Sequence, residues 1–252
     1  MRAPRTMWDD GRTALGAWLV LREPLLAEEA SKAGFDWVCI DLQHGMVGFE
    51  HLDAMLAATS LGTAAPLVRV PWNDTWMINR ALDAGALGVI VPMVNTAEEA
   101  ARAVAACRYA PAGHRSIGPT AAGVRHGAGY VADANADVLC IVMIETAQAV
   151  DNIDAIVAVP GVDAVYIGPS DLSLTLGIEP RMDQTAPSFR DALATVAAAC
   201  TRAGVVAGVH ADASLVGERH AAGFRMINAG FDLRPVSVAL HADLATARAA
   251  TG

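Results

Sequence analysis

The sequence predicts an α/β chain folded as a single (β/α)8 TIM barrel, and three observations carry that prediction. The chain has 252 residues, the size of one such barrel. Short apolar runs alternate along it with Ala-rich amphipathic stretches, and the runs are continuous rather than alternating, as in parallel strands covered on both faces. Glycines stand where helices should close before the next run, at Gly34, Gly85, Gly204 and Gly223, which suits C-terminal caps. An open doubly wound sheet usually carries a Gly-rich phosphate turn after its first strand, and Val20–Pro24 has none.

Taken in order, strand Ala14–Val20 precedes helix Pro24–Ala33, and strand Trp37–Leu42 precedes helix Phe49–Leu61. Pro66–Val70 is followed by Thr75–Ala84, and Gly88–Val94 by Ala97–Cys107. Leu139–Ile144 leads to Gln148–Val157, and Ala164–Ile167 to Pro187–Ala203. Val205–Val209 leads to Ser214–Ala222, and Arg225–Ala229 to the last helix, Pro235–Thr251. Tyr109–Asn135 and Leu172–Thr185 are expected to be long loops, which in compact domains are usually functional. No internal repeat or low-complexity linker divides the chain, so residues 1–252 are expected to form one domain.

Bulk composition excludes several classes. The chain is 54% hydrophobic and 18% charged, ample for a core and unlike a disordered segment. No apolar run is long enough for a bilayer. Met1–Asp10 has no apolar core with a cleavage site, so no signal peptide is read and a cytoplasmic protein is expected. Cys39, Cys107, Cys140 and Cys200 lie in apolar or Ala-rich runs and are expected to be buried, reduced thiols. A net charge of -9 with no basic cluster argues against nucleic acid or an acidic membrane as partner.

Barrel active sites lie at the C-terminal ends of the strands. The second run ends Asp41-Leu42-Gln43-His44, the third near Arg69, the fifth at Glu145, the sixth at Gly168-Pro169-Ser170-Asp171 and the eighth at Asp232. Glu145 and Asp171 close neighbouring strands about 4.8 Å apart, so both can reach one ion. Two carboxylates without cysteine or clustered histidine suit a hard cation, Mg2+ or Mn2+ before Co2+ or Zn2+; the other reading is a carboxylate pair balanced by arginines. Asp41 bonded to one nitrogen of His44 would leave the other free to accept a proton; the bland reading is a satisfied core histidine. Arg69 suits an anionic substrate or an enolate, or else a salt bridge to Glu145 or Asp41. His114, His126 and His220 read as ordinary loop or helix residues. The Gly168–Asp171 turn opens toward a helix, where the N–H groups of Ser170 and Asp171 can hold a carboxylate. Of 18 basic residues only Lys32 is a lysine, and it lies at the wrong end of the barrel for Schiff-base chemistry. Carbanion chemistry here therefore calls for a metal as electron sink.

Gly34-Phe35-Asp36-Trp37 followed by Ile40-Asp41-Leu42-Gln43-His44-Gly45 resembles the signature of the HpcH/HpaI aldolase family. Val91–Val94, Thr96–Ala100, Arg108-Tyr109-Ala110-Pro111 with Gly113 and Arg115, and Gly168–Ser173 with Leu176-Gly177 fit it in order. The resemblance runs from about Gly16 to Asp232. It implies a (β/α)8 barrel, usually a homohexamer, acting as a metal-dependent aldolase on 4-hydroxy-2-oxo acids to give pyruvate, or a close 2-oxo acid, and an aldehyde. It implies Glu145 and Asp171 as metal ligands, Arg69 on the pyruvate oxygen, His44 as general base with Asp41 paired to it, and Asp83 lent to a neighbouring subunit's site. It also implies Ser170 and Asp171 N–H groups on the carboxylate, and Trp18 on the aldehyde side. Gln43 stands where many members have Glu, and His210 where an apolar residue is common, so the aldehyde cannot be carried over. A CoA-ester lyase of the citramalyl/malyl-CoA type and a non-catalytic 2-oxo-acid-binding barrel are the competing readings; the first lacks a basic patch for phosphates, and the intact polar set argues against the second. The charge-poor Pro235–Ala250 helix suits burial against another subunit.

Overall fold

A computed structural model describes residues 4–251; the start of the N-terminal reading, residues 1–3, lies outside the described residues. Eight parallel strands close into a barrel in sequence order: β1 (Ala14–Leu19), β2 (Trp37–Asp41), β3 (Ala65–Arg69), β4 (Gly88–Val91), β5 (Leu139–Ile144), β6 (Ala164–Ile167), β7 (Val206–Val209) and β8 (Met226–Phe231). The helices are α1 (Pro4–Asp9), α2 (Pro24–Lys32), α3 (Phe49–Thr59), α4 (Thr75–Asp83), α5 (Ala97–Cys107), α6 (Thr120–His126) and α7 (Tyr130–Asp137). They continue with α8 (Ala147–Asp151), α9 (Ile153–Val157), α10 (Pro169–Thr175), α11 (Pro187–Ala203), α12 (Val216–Ala221) and α13 (Leu233–Thr251). Among the described residues no helix is long and apolar enough to cross a membrane.

Side chains alternate inward and outward along each strand. The outward set packs on the helices in one large cluster that includes Val38, Ile40, Val68, Val89, Val142 and Ile167. The inward set fills the barrel with Trp18, Trp37, Cys39, Leu67, Ile90, Leu139, Ile141, Met143, Tyr166 and Met226. Met7 of α1 joins that inner cluster beside Ala14, and Arg5 fastens the helix through a 2.7 Å bond to Asp163. Large inward rings need small neighbours. A Cβ on Gly16 would lie 2.0 Å from the Trp37 ring, and one on Gly208 would lie 2.7 Å from Tyr166.

The barrel closes between β1 and β8, where the register shifts between Gly16 and Ala17. Asp232 latches this seam, accepting from Val20 N–H (3.0 Å), Leu21 N–H (2.8 Å) and Leu233 N–H (2.7 Å). The charge closing the eighth strand is thus structural.

Strands β5 and β6 have the bounds their apolar runs predict, and each of the other strands moves by one to three residues at one or both ends. The long-loop reading of Tyr109–Asn135 is corrected: it holds α6 and most of α7, short helices that its glycines and prolines disguise. Asn135 ties that excursion back to the barrel by bonding both Tyr109 N–H and C=O, at 2.7 and 3.1 Å. The Leu172–Thr185 loop begins inside α10, and the Gln148–Val157 helix breaks at Asn152 into α8 and α9. All four cysteines are buried and free. Gly34, Gly85, Gly204 and Gly223, the expected caps, all have positive φ.

Close packing around Trp37 gives a direct test. Gly16→Ala should destabilise the protein by about 3 kcal/mol, the upper range for overpacking a core. Gly123→Ala, on α6 where an added Cβ meets nothing within 4 Å, should instead stabilise by up to about 1 kcal/mol. Chemical denaturation of both variants reads the difference.

Candidate active site

One more step of the inward alternation turns the core into a polar site. On β2, Trp37 and Cys39 point inward and Asp41 follows them; on β3, Ala65 and Leu67 lead to Arg69; on β5, Ile141 and Met143 lead to Glu145. Strand pairing sets Asp41 directly beside Arg69.

Asp41 is 1% exposed and fully engaged. Arg69 donates to both its oxygens, through Nε at 2.9 Å and through its terminal nitrogen. Trp18 Nε1 donates at 3.2 Å, and the main-chain N–H groups of Gln43 and His44 donate at 3.0 and 3.2 Å. Burial pushes the Asp41 carboxyl up, but the bonds and charge of Arg69 outweigh it and hold the group below its ordinary value. Burial likewise lowers Arg69, and Asp41 more than restores it. The guanidinium also lies 5.0 Å from the Trp18 ring centroid. The expected bond between Asp41 and the His44 imidazole is absent among the described residues: Asp41 takes the His44 backbone N–H instead. The exposed imidazole faces the site while its turn is pinned.

Glu145 is 2% exposed and has no hydrogen-bonded cation among the described residues. Its Oε1 accepts from Met93 N–H at 2.7 Å. Met93 follows β4 with φ 55, a conformation that costs a non-glycine residue roughly 1–3 kcal/mol. Asn95 steadies the turn by donating to Met93 C=O at 3.0 Å. On the other side, a Cβ at Gly168 would lie 2.5 Å from Glu145 Oε2, so glycine makes room for the carboxylate. Burial, followed by the nearby Asp171 charge, pushes Glu145 up to about 7 against the pull of Met93 N–H and Arg69.

Asp171 stands in the first turn of α10, which begins at Pro169 with Gly168 as its N-cap. First-turn amides have no acceptor within their helix, so Ser170 and Asp171 N–H are available there. Glu145, Asp171, Arg69, His44, Ser170, Trp18 and His210 line one cavity of about 170 Å³ at the strand tips. A larger cavity, about 690 Å³, runs along α2 and the ends of β1 and β8, and its lining is mostly apolar. The small one has the chemistry.

Asp83 is not part of this cavity. It ends α4, which runs antiparallel to the strands, so it lies toward the opposite end of the barrel, 2.7 Å from Arg115. Arg115 in turn bonds Tyr130 at 3.0 Å. Sequence reading missed Met93 and the clearance role of Gly168; the only trace of the first was the Pro92-Met93 end of an apolar run.

The donor set fits a divalent cation. Among the described residues there is no cluster of three or more His, Cys, Asp or Glu. Two adjacent carboxylates, one buried without a cation, are the protein share expected for a hard ion that completes its shell with water and substrate oxygens.

Residues 14–239 match the family described as HpcH/HpaI aldolase/citrate lyase. The chain is 42% identical to a hydroxypyruvate/pyruvate aldolase of Rhizorhabdus wittichii over 99% of this chain and 100% of that protein. It is 41% identical to a 4-hydroxy-2-oxovalerate aldolase of Novosphingobium aromaticivorans, covering 88% and 86% of the two. Among solved structures it resembles an HpcH/HpaI aldolase/citrate lyase family protein from Burkholderia cenocepacia J2315. The TM-score is 0.89 at 33% identity, with 97% and 98% of the two chains covered.

The raised Glu145 carboxyl makes stability depend on pH. Between 4.5 and about 7 the folded state keeps a proton that the unfolded chain has released. Chelator-treated protein should therefore lose stability as pH rises through that window, by roughly 3 kcal/mol. Glu145→Gln should flatten that fall; a wild-type profile as flat as the variant's would contradict the environment described for Glu145.

Proposed function

The chain belongs to the HpcH/HpaI aldolase/citrate lyase family, and from that premise we propose that it is a metal-dependent pyruvate aldolase. It reversibly cleaves 4-hydroxy-2-oxo acids to pyruvate, or a close 2-oxo acid, and an aldehyde, and so is a carbon–carbon lyase. The observation that carries the reading is the convergence of Arg69, Glu145, Asp171 and His44 on one small cavity at the strand tips.

Glu145 and Asp171 would hold the divalent cation, Mg2+ or Mn2+ in preference to Co2+ or Zn2+. When bound, it supplies a Lewis acid for the keto oxygen of the substrate. The protein's own residues do the rest. The N–H groups of Ser170 and Asp171 hold the substrate carboxylate. Arg69, fixed by Asp41 and set over Trp18, opposes the negative charge that grows on the keto oxygen. In cleavage His44 accepts the proton of the 4-hydroxyl, directly or through water. The C3–C4 bond breaks, its electron pair stays with C3, and the aldehyde leaves past Trp18. A proton then adds to the pyruvate enolate. Asp41 serves as the anchor of Arg69 and of the His44 turn rather than as a partner of the imidazole.

The reading extends to a cytoplasmic homo-oligomer, a hexamer by family resemblance, in which Asp83 serves a neighbouring site. Helix α13 supports assembly: none of its residues is buried within this chain, and Val238, Leu240 and Leu244 are 62, 64 and 49% exposed. The mostly apolar cavity along α2, lined by Leu26, Ala30 and Phe35, is a surface such a helix can cover.

On a panel of 4-hydroxy-2-oxo acids, pyruvate release should vanish after exhaustive chelation and return with Mg2+ or Mn2+. Glu145→Gln and Asp171→Asn should lose bound metal and activity together. His44→Ala should lose about 10²–10⁴-fold in turnover while metal content stays whole. Full activity after chelation contradicts the scheme. Leu240→Asp with Leu244→Asp should shift the protein to a smaller species in sedimentation; an unchanged species means that α13 is not an interface.

A further inference from the structure

One wall of the cavity, where β1, β6, β7 and β8 meet, is formed by Trp18 and His210 and backed by further aromatic rings. Trp18, Tyr166 and Phe231 surround His210, whose ring lies edge-on to Trp18 at 4.7 Å and to Phe231 at 5.2 Å between centroids. His210 extends the inward row of β7 after Val206 and Gly208, its main chain held by a 3.0 Å bond from its backbone N–H to Ile167 C=O and its ring by these aromatic neighbours. Its ring is therefore held from several sides.

The partner of Nδ1 sets the tautomer. The Tyr166 hydroxyl lies 3.3 Å from it. Tyr166 is fully buried, and burial keeps its hydroxyl protonated. A buried O–H needs an acceptor, and among the described residues Nδ1 is the partner it has. A neutral imidazole that accepts at Nδ1 carries its proton on Nε2. Burial, then the charge of Arg69, pushes His210 down to about 3, so the ring is neutral at ordinary pH. Nε2 has no protein partner among the described residues, yet it is not among their sealed, unpaired polar atoms, and His210 lines the cavity with Arg69 and Asp171. It is a preset N–H donor on an otherwise aromatic wall.

We propose that His210 is a specificity-determining residue, whose Nε2–H donates to a hydroxyl on the substrate carbon next to the bond that is made or broken. The inference rests on the aldolase reading above. His210 lines the same cavity as Ser170 and Asp171, whose N–H groups hold the 2-oxo acid on that reading, and packs edge-on to Trp18, which it assigns to the aldehyde side. A hydroxyl within its reach belongs to C3 of a 3-hydroxy-2-oxo acid such as hydroxypyruvate, or to the carbon beside the carbonyl of an α-hydroxyaldehyde such as glycolaldehyde. An apolar side chain here would leave that wall unable to favour either.

The test measures kcat/KM for aldol addition by the metal-loaded enzyme. Pyruvate or hydroxypyruvate is the nucleophile and acetaldehyde or glycolaldehyde the acceptor, with wild type, His210→Phe and His210→Gln. Phe keeps the aromatic packing without the donor; Gln offers a donor again. The ratio of hydroxylated to unsubstituted substrate should fall roughly tenfold in His210→Phe, as for loss of one hydrogen bond in a buried site, and return to within about threefold of wild type in His210→Gln. A fall confined to hydroxypyruvate assigns the hydroxyl to the nucleophile, and one confined to glycolaldehyde assigns it to the acceptor. Ratios unchanged in His210→Phe overturn the proposal while leaving the aldolase reading intact. No turnover of any pair by wild type overturns the aldolase reading, and this proposal with it.

Discussion

The ion pair between Arg69 and Asp41 organises the mouth of the barrel. Two opposite charges stand side by side on adjacent strands, nearly out of reach of water. Burying either alone would cost several kcal/mol, and together they are tolerable because nearly every polar atom is bonded. Asp41 reaches Arg69 on β3, the Trp18 indole on β1 and two amides of its own turn. It therefore ties three strands to the loop that carries His44. The same pairing leaves Glu145 with a main-chain N–H but no bonded cation. This imbalance is the physical basis of the proposal that Glu145 and Asp171 would hold a divalent ion.

The site is the last layer of a core. Below it, inward side chains are rings and aliphatics that interlock, Trp37 against Gly16 and Tyr166 against Gly208. Above it lies solvent. A rigid, apolar floor keeps the charged layer from sinking into the barrel and lowers the local polarity, which strengthens each electrostatic contact. Glu145 depends on two backbone features at once, the left-handed Met93 that points an amide at it and Gly168, which has no side chain to displace it.

Much of this was legible in the sequence. Leu139–Ile144 and Ala164–Ile167 end in a charge and a glycine, so their strands were read with the right bounds. Strand tips gave the polar set because a parallel barrel has one catalytic face. Where reading failed, long-range geometry decided. Val91–Val94 is apolar throughout, yet the strand stops at Val91 because Met93 turns to serve Glu145, a partner 52 residues away. Asp41 and His44 are close in sequence, which suggested a carboxylate–imidazole pair, but Arg69 from β3 bonds both oxygens and Trp18 from β1 shares Oδ2. His210 stood out only as a departure from the family pattern; its tautomer depends on Tyr166, 44 residues away.

The central claim is that this carboxylate-rich mouth stabilises a pyruvate enolate. It is tested most directly by following the methyl protons of pyruvate in deuterated water by NMR, with metal-loaded protein and no aldehyde present. The account predicts exchange that needs the divalent ion and falls sharply in Arg69→Ala. A folded, metal-loaded wild-type protein that leaves those protons unexchanged would contradict it.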